Sequence, residues 1–87
     1  MNENIPDVKD VMRRVVRKLP LEKEGIPVIY SENAIIEALN DEVTGYWGVG
    51  KMKDTIYALV SEGSLEMWRY VQHGKWSTVG FRPVRKE

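Results

Sequence analysis

The sequence predicts a small α+β domain in which three helices precede a C-terminal β-hairpin. Two patterns support this prediction: apolar residues recur at helical spacing in three early segments, and they alternate with period two after Gly63. The chain has 87 residues, which is short for a domain but long enough to fold alone. We therefore expect one domain over residues 1–87, with loose tails at 1–6 and 83–87.

The first helix is predicted from a single apolar stripe. Its members recur at i, i+3, i+4, i+7, i+8 and i+11, and they are Val8, Val11, Met12, Val15, Val16 and Leu19. We expect Asn4 or Asp7 to cap the start and Pro20 to end the helix. The opposite face is basic, and its arginines either pair with acids elsewhere or flank a dimer interface; they are Arg13, Arg14 and Arg17.

A polar connection over residues 21–25 should lead into a short strand at Ile26–Tyr30. We predict an edge strand there, because Pro27 has no N–H to donate to a neighbouring strand. Ser31 should then cap a second helix, which ends between Asn40 and Val43. The narrow apolar face of this helix comprises Ile35, Ile36, Leu39 and Val43.

The third helix is predicted from Val49 or Gly50 to Glu62, with Gly63 ending it. Its core stripe comprises Met52, Ile56, Leu59 and Val60. Strands rich in Trp, Tyr, Val and Thr follow at residues 64–72 and 75–84, on either side of a tight turn at His73-Gly74. Pairing with the earlier edge strand gives a three-stranded antiparallel sheet, in the order helix, strand, helix, helix, strand, strand.

Three positions around the end of the third helix carry a family resemblance. Leu59, Gly63 and Leu65 match the pattern with which many winged helix-turn-helix proteins end their recognition helix and enter the wing. Residues 79–81, Val-Gly-Phe, resemble the returning strand of that wing. The order of elements is similar to that fold over nearly the whole chain. The segment at residues 41–48, however, is longer than the turn of about three or four residues typical of such units.

The resemblance implies a duplex DNA-binding protein, in the role of a small transcriptional regulator. Its third helix would enter the major groove, and the hairpin wing would contact the backbone. Lysines on that helix would donate to guanine or phosphate, and Asp54 would accept from cytosine. The implied DNA-binding residues are Ser31, Asn33, Gly50, Lys51, Lys53, Asp54, Tyr57, Arg69, His73 and Lys75. A homodimer on paired half-sites would raise the affinity of such a short module.

Each of these features also has a plainer interpretation. The helix can be an ordinary amphipathic helix with solvated lysines, Ser31 can serve only as a cap, and His73 can serve only the turn. Three large aromatic residues on the hairpin are explained most simply by cross-strand packing, with base stacking or a protein contact as alternatives. They are Trp68, Tyr70 and Trp76.

A protein–protein adaptor with the same fold is the alternative function. Neutral charge, Asp54 on the third helix and the aromatic hairpin favour it. The character of the exposed surface would distinguish the DNA-binding hypothesis from the adaptor hypothesis. A positive stripe would favour DNA, and it would consist of Lys51, Lys53, Arg69 and Lys75. An apolar patch would favour a protein partner, and it would consist of Tyr46, Trp47, Trp68 and Trp76.

Charge is balanced overall but not along the chain. There are 13 Lys and Arg against 13 Asp and Glu, which argues against a protein that coats nucleic acid non-specifically. Residues 1–50 carry six basic and nine acidic side chains, a net of −3, and residues 51–87 carry seven and four, a net of +3. The excess of basic residues in the second half permits a directed contact with a polyanion, or these side chains are simply solvated.

Little in the sequence indicates catalysis, a metal or a cofactor. The chain has no Cys and one His, so we expect no enzyme, no metal site and no cofactor. Residues 45–51 match the phosphate-binding pattern G-x-x-x-x-G-K, but Met52 stands where Ser or Thr would hold Mg²⁺. The absence of Cys, of a signal peptide and of a long apolar run predicts a cytoplasmic protein with no membrane contact. A single Gln and 30% charged residues favour a thermophilic source.

Overall fold

A computed structural model describes residues 6–43, 45 and 47–85, apart from the side chains of residues 70, 72 and 76–79. The chain forms a small α+β domain of three helices and two two-stranded antiparallel sheets. The helices are α1 (Val8–Lys18), α2 (Glu32–Glu42) and α3 (Val49–Glu62). The first sheet joins β1 (Glu22–Lys23) to β2 (Ile26–Pro27), and the second joins β3 (Leu65–Gln72) to β4 (Lys75–Pro83). No helix among these residues is long and apolar enough to cross a membrane.

The core lies where the three helices pack on one another and on one face of β3–β4. The predicted apolar stripes supply nearly all of it, together with Leu65 and Phe81 from the hairpin. Val60 is only partly buried, and Thr55 takes a fully buried place on α3 instead. Thr55 Oγ1 donates to the Lys51 carbonyl oxygen at 2.8 Å, which satisfies its hydroxyl within the helix.

The predicted helix ends are confirmed. The Asp7 carboxylate accepts from the Lys9 N–H at 2.9 Å, and Ser31 Oγ accepts from the Ala34 N–H at 3.0 Å. Each oxygen satisfies a donor that has no partner inside its helix. Gly63 ends α3 in the left-handed region, with φ of 89°, a conformation that glycine adopts without a steric penalty.

The short strand before α2 differs from the prediction. Ile26–Pro27 pairs with the preceding strand, Glu22–Lys23, and not with the C-terminal hairpin. The residues between them, Glu24 and Gly25, have φ of 54° and 81°, which gives the two-residue turn that favours a local hairpin. The polar residues 21–25 are therefore mostly part of this hairpin. The predicted three-stranded sheet is replaced by two two-stranded sheets.

The segment between β2 and α2 pairs with β4 through a single backbone bridge instead of the predicted strand. The Tyr30 N–H donates to the Phe81 carbonyl oxygen at 2.8 Å, and the Phe81 N–H donates back to Tyr30 at 2.7 Å. Gly80 makes this approach possible. A Cβ on Gly80 would lie 2.6 Å from Ile29 Cγ2 and 2.8 Å from the Tyr30 carbonyl oxygen.

The β3–β4 hairpin follows the predicted boundaries to within one residue. His73 and Gly74 form its turn with φ of 52° and 75°. The register shifts between Trp68 and Arg69, whose partners are Gly80 and Thr78. Such a bulge leaves one residue of β4 without a partner and increases the local twist.

Residues 83–85 correct the prediction of a loose C-terminal tail from residue 83. Pro83 is buried, and the Val84 N–H donates to the Ser64 carbonyl oxygen at 3.0 Å. The Arg85 guanidinium donates to the Leu19 carbonyl oxygen, just past the end of α1. Residues 1–5, 86 and 87 lie outside the described part of the chain.

Candidate nucleic-acid interface

Tyr57 lies where α2, α3 and the hairpin meet. Its ring packs edge-on against Phe81 of β4, with ring centres 5.6 Å apart and an interplanar angle of 82°. Its hydroxyl donates to Oε2 of Glu32 at 2.6 Å. The side chain is held at both ends while 38% of Tyr57 remains exposed, so it forms a fixed part of the surface.

Glu32 connects the first turn of α2 to α3. Its Oε2 accepts from Tyr57, and its Oε1 lies 3.7 Å from the Lys53 ammonium nitrogen. Sequence reasoning did not select Glu32. Its position after the Ser31 cap marks it as a typical first-turn acid, but its partners lie 21 and 25 residues further along. No local spacing rule connects residues so distant in the chain.

The environment of Tyr57 changes its acidity. The hydrogen bond to the Glu32 carboxylate raises the pKa of Tyr57 above its usual value, and partial burial acts in the same direction. The positive charge of Arg69 opposes this rise in the pKa, since it favours the phenolate.

Arg69 belongs to the face of β3 that also carries core residues. Leu65 is buried and Met67 is packed against the core, and strand alternation puts Arg69 on their side. Its Nη2 lies 3.8 Å from Met67 Sδ. The structure thus joins Lys53 and Tyr57 through Glu32, and it places Arg69 on the side of β3 that carries core residues.

The start of α2 contributes two of the predicted residues. Ser31 and Asn33 are both exposed, on either side of Glu32 in the sequence. The Ser31 hydroxyl oxygen already accepts the capping hydrogen bond, although the hydroxyl can still donate. Capping is the role of Ser31 that the structure contains.

The start of α3 presents an open surface. Gly50, Lys51 and Asp54 are exposed, and a Cβ added at Gly50 would meet no atom within 4 Å. The helix is capped by the backbone of Gly48, with no side-chain hydrogen bond to its first turn. An approaching anion would therefore meet backbone N–H groups of the first turn that the N-cap residue, Gly48, does not engage with a side chain.

His73 and Lys75 are exposed at the turn of the hairpin. At about 3.3 Å per residue along a strand, His73 lies about 13 Å beyond Arg69. Neither residue is brought into contact with α3 in the described structure. A ligand would therefore have to span this distance to contact both the turn of the hairpin and α3.

The four aromatic residues of the alternative patch do not share one environment. Trp47 is half-buried and packed against the core. Trp68 is 46% exposed, and its indole N–H donates to Glu66 at 3.2 Å. Tyr46 and the side chain of Trp76 lie outside the described residues.

The glycine-rich segment lacks the setting of a phosphate-binding loop. A helix, α2, leads into it, whereas that motif follows a buried strand. Part of the segment, residues 44 and 46, lies outside the described chain. Among the residues that are described, no group of three or more His, Cys, Asp or Glu could hold a metal ion.

Comparisons with known proteins gave no relative: no family model matches the chain, and no curated protein or solved structure is significantly similar to it.

Proposed function

We propose that the chain is a winged helix-turn-helix domain that binds duplex DNA, in the role of a small transcriptional regulator. In this proposal α3 enters the major groove and the β3–β4 hairpin is the wing on the backbone. The observation that supports it most is that exposed basic side chains lie on both α3 (Lys53) and the hairpin (Arg69), which pack together through the rings of Tyr57 and Phe81. Helix and hairpin thereby contribute to one surface.

The order of elements supports the fold assignment. Three mutually packed helices precede a long hairpin, and the segment before α2 bridges to β4 at Tyr30 and Phe81. In this proposal the bridge corresponds to the strand that the winged helix-turn-helix order has between its first two helices. The connection from α2 to α3 covers residues 43–48, which is longer than the usual turn of about three or four residues.

The charges of the proposed surface favour weak binding with a modest dependence on salt. Four basic side chains belong to it, and two acids, Glu32 and Asp54, lie among them. The basic residues are Lys51, Lys53, Arg69 and Lys75. Each phosphate contact adds about 0.9 to the slope of log affinity against log salt, so we expect a small slope. Base contacts at the start of α3 would supply the specificity.

An adaptor that binds another protein is the second candidate. Its supporting observation is the exposure of two apolar hairpin residues, Trp68 at 46% and Val71 at 54%. Trp47 does not extend this surface, because it packs against the core. Among the described side chains of the hairpin, the exposed large apolar residues are Trp68 and Val71, and we favour DNA.

Fluorescence anisotropy with a labelled duplex of about 30 base pairs at low salt tests the proposal. Lys51→Glu should weaken binding at least about tenfold, because it replaces a phosphate or base contact with a repulsive charge. Arg14→Glu is the matched control. Arg14 is exposed on α1 and is not among the residues of the proposed DNA surface.

Circular dichroism should give both variants the spectrum of the wild type. Equal affinities of Lys51→Glu and Arg14→Glu for the duplex would refute the assignment of α3 as the reading helix.

A further inference from the structure

A cleft of about 440 Å³ lies between α1, the end of α3 and the residues that follow β4. Three arginines line it, one from the middle of α1, one from its last turn and one from beyond β4: Arg13, Arg17 and Arg85. Glu62 is the single acid among the lining residues. Formal charge in the cleft is therefore +2, from three guanidinium groups and one carboxylate.

Arg13 and Glu62 neutralise each other. Arg13 Nε and Nη2 donate to the two carboxylate oxygens of Glu62 at 2.7 and 2.8 Å. Glu62 also accepts from Ser64 Oγ at 2.6 Å and lies 3.3 Å from the Lys9 ammonium nitrogen. This carboxylate is fully engaged, so the excess positive charge of the cleft belongs to the other two arginines.

Arg17 and Arg85 retain donors for a ligand. The Arg85 guanidinium gives one hydrogen bond to the Leu19 carbonyl oxygen, which leaves most of its N–H groups without a partner among the described residues. Arg17 is exposed and has no hydrogen bond or ion pair with any residue that the structure describes. Guanidinium groups suit phosphate and carboxylate oxygens, which they can bind through two parallel hydrogen bonds.

Part of the remaining wall of the cleft is apolar. It includes Val16 from α1 together with Pro83 and Val84. The volume falls within the range of about 300–1,000 Å³ that is usual for sites of small organic ligands. Such a site suits a molecule with a carbon body at one end and an anionic group at the other.

We propose that this cleft binds a small organic anion, with its phosphate or carboxylate group held by Arg17 and Arg85 and its carbon body against Val16 and Val84. The inference does not depend on DNA binding, because the cleft lies at the end of α3 and not at its start. The Arg13–Glu62 pair forms the fixed side of the site.

Titration of ¹⁵N-labelled protein with phenyl phosphate and with benzoate, followed by two-dimensional NMR at constant ionic strength, tests the proposal. Saturable shifts are expected at the amides of Gly63, Ser64 and Val84, with at least one of the two probes. Tighter binding of phenyl phosphate would identify a phosphate ester as the ligand class, and tighter binding of benzoate a carboxylate. Inorganic phosphate should bind at least about tenfold more weakly than phenyl phosphate, because it leaves the apolar wall uncovered.

Two variants distinguish a site from general attraction of anions to a basic surface. Arg17→Gln should weaken binding of the preferred probe about tenfold, and Arg14→Gln, a neighbour outside the cleft, should leave it unchanged. Arg17 has no described partner to lose, so its replacement should not disturb the fold. Unsaturable shifts with both probes, or equal affinities of the two variants, would overturn the proposal.

Discussion

The hydroxyl of Tyr57 donates a 2.6 Å hydrogen bond to Oε2 of Glu32, which joins α3 to the first turn of α2. The other oxygen of Glu32 faces Lys53 at 3.7 Å. A single carboxylate thus engages two side chains of the proposed DNA surface. Binding of a phosphate there must either displace these contacts or tolerate the negative charge.

Removal of that charge should strengthen DNA binding. We expect Glu32→Gln to raise affinity for a duplex about three- to tenfold at low salt, because Lys53 is released and a repulsive charge is lost. Glu37→Gln, an exposed acid further along α2, is the matched control and should have a smaller effect. Anisotropy measures both. Weaker binding by Glu32→Gln than by the control would mean that the ordering of Tyr57 matters more than the charge.

The Glu32 carboxylate should also determine the pH at which Tyr57 titrates. Its hydrogen bond raises the pKa of Tyr57 above the usual value, so the neutral phenol is favoured in the folded protein. Stability from this contact is present below about pH 10 and is lost as the pH rises through the titration of the folded state. Glu32→Gln should lower the pKa of Tyr57, as measured from the ¹³Cζ chemical shift. An unchanged titration would contradict the hydrogen bond.

The Arg13–Glu62 pair should make stability depend on acid pH. Hydrogen bonds from Arg13, then Ser64 and Lys9, hold the pKa of Glu62 far below its usual value of about 4.5. Since the folded pKa is the lower one, this stability is present above about pH 4.5 and is lost as the pH falls further.

Thermal unfolding of variants should show the pH dependence of the stability that the Arg13–Glu62 pair contributes. Glu62→Gln should lower Tm at neutral pH, and the gap to the wild type should narrow between about pH 5 and about pH 3. Arg13→Gln should flatten the same part of the profile, because it removes the group that lowers the pKa of Glu62. Parallel profiles of the wild type and Glu62→Gln would contradict the account.

Gly80 should be intolerant of a side chain. A methyl group there would lie 2.6 Å from Ile29 Cγ2 and 2.8 Å from the Tyr30 carbonyl oxygen, so Gly80→Ala should cost about 1–3 kcal/mol. Gly50→Ala is the control, since its methyl group would enter open space on a helix, where alanine stabilises by about 0.5–1 kcal/mol. Urea unfolding measures both. A harmless Gly80→Ala would show that Tyr30 need not lie so close to β4.

The helices could be predicted because their signals are local. The six-residue apolar stripe of α1, the Ser31 cap and the left-handed Gly63 each depend on neighbours within a few positions. The hairpin turn at His73-Gly74 follows the same rule. In each case the residue that decides the conformation lies beside the element that it ends or begins.

The first sheet was missed because two local signals competed. Pro27 indicates an edge strand of the C-terminal sheet, whereas the Glu24-Gly25 turn directs the chain into a local hairpin. The Glu32 and Glu62 contacts could not be predicted either. Glu62 pairs with Arg13 across 49 positions, and periodicity carries no information on such distant pairs.

Anisotropy of a labelled random duplex of about 30 base pairs, titrated with the wild-type protein at rising salt, tests the central claim most directly. We predict binding at low salt whose affinity falls with a log–log slope of about −2 to −4, as expected for a few phosphate contacts. Absence of binding at low salt would contradict DNA recognition by α3 and the hairpin, and it would favour the protein adaptor.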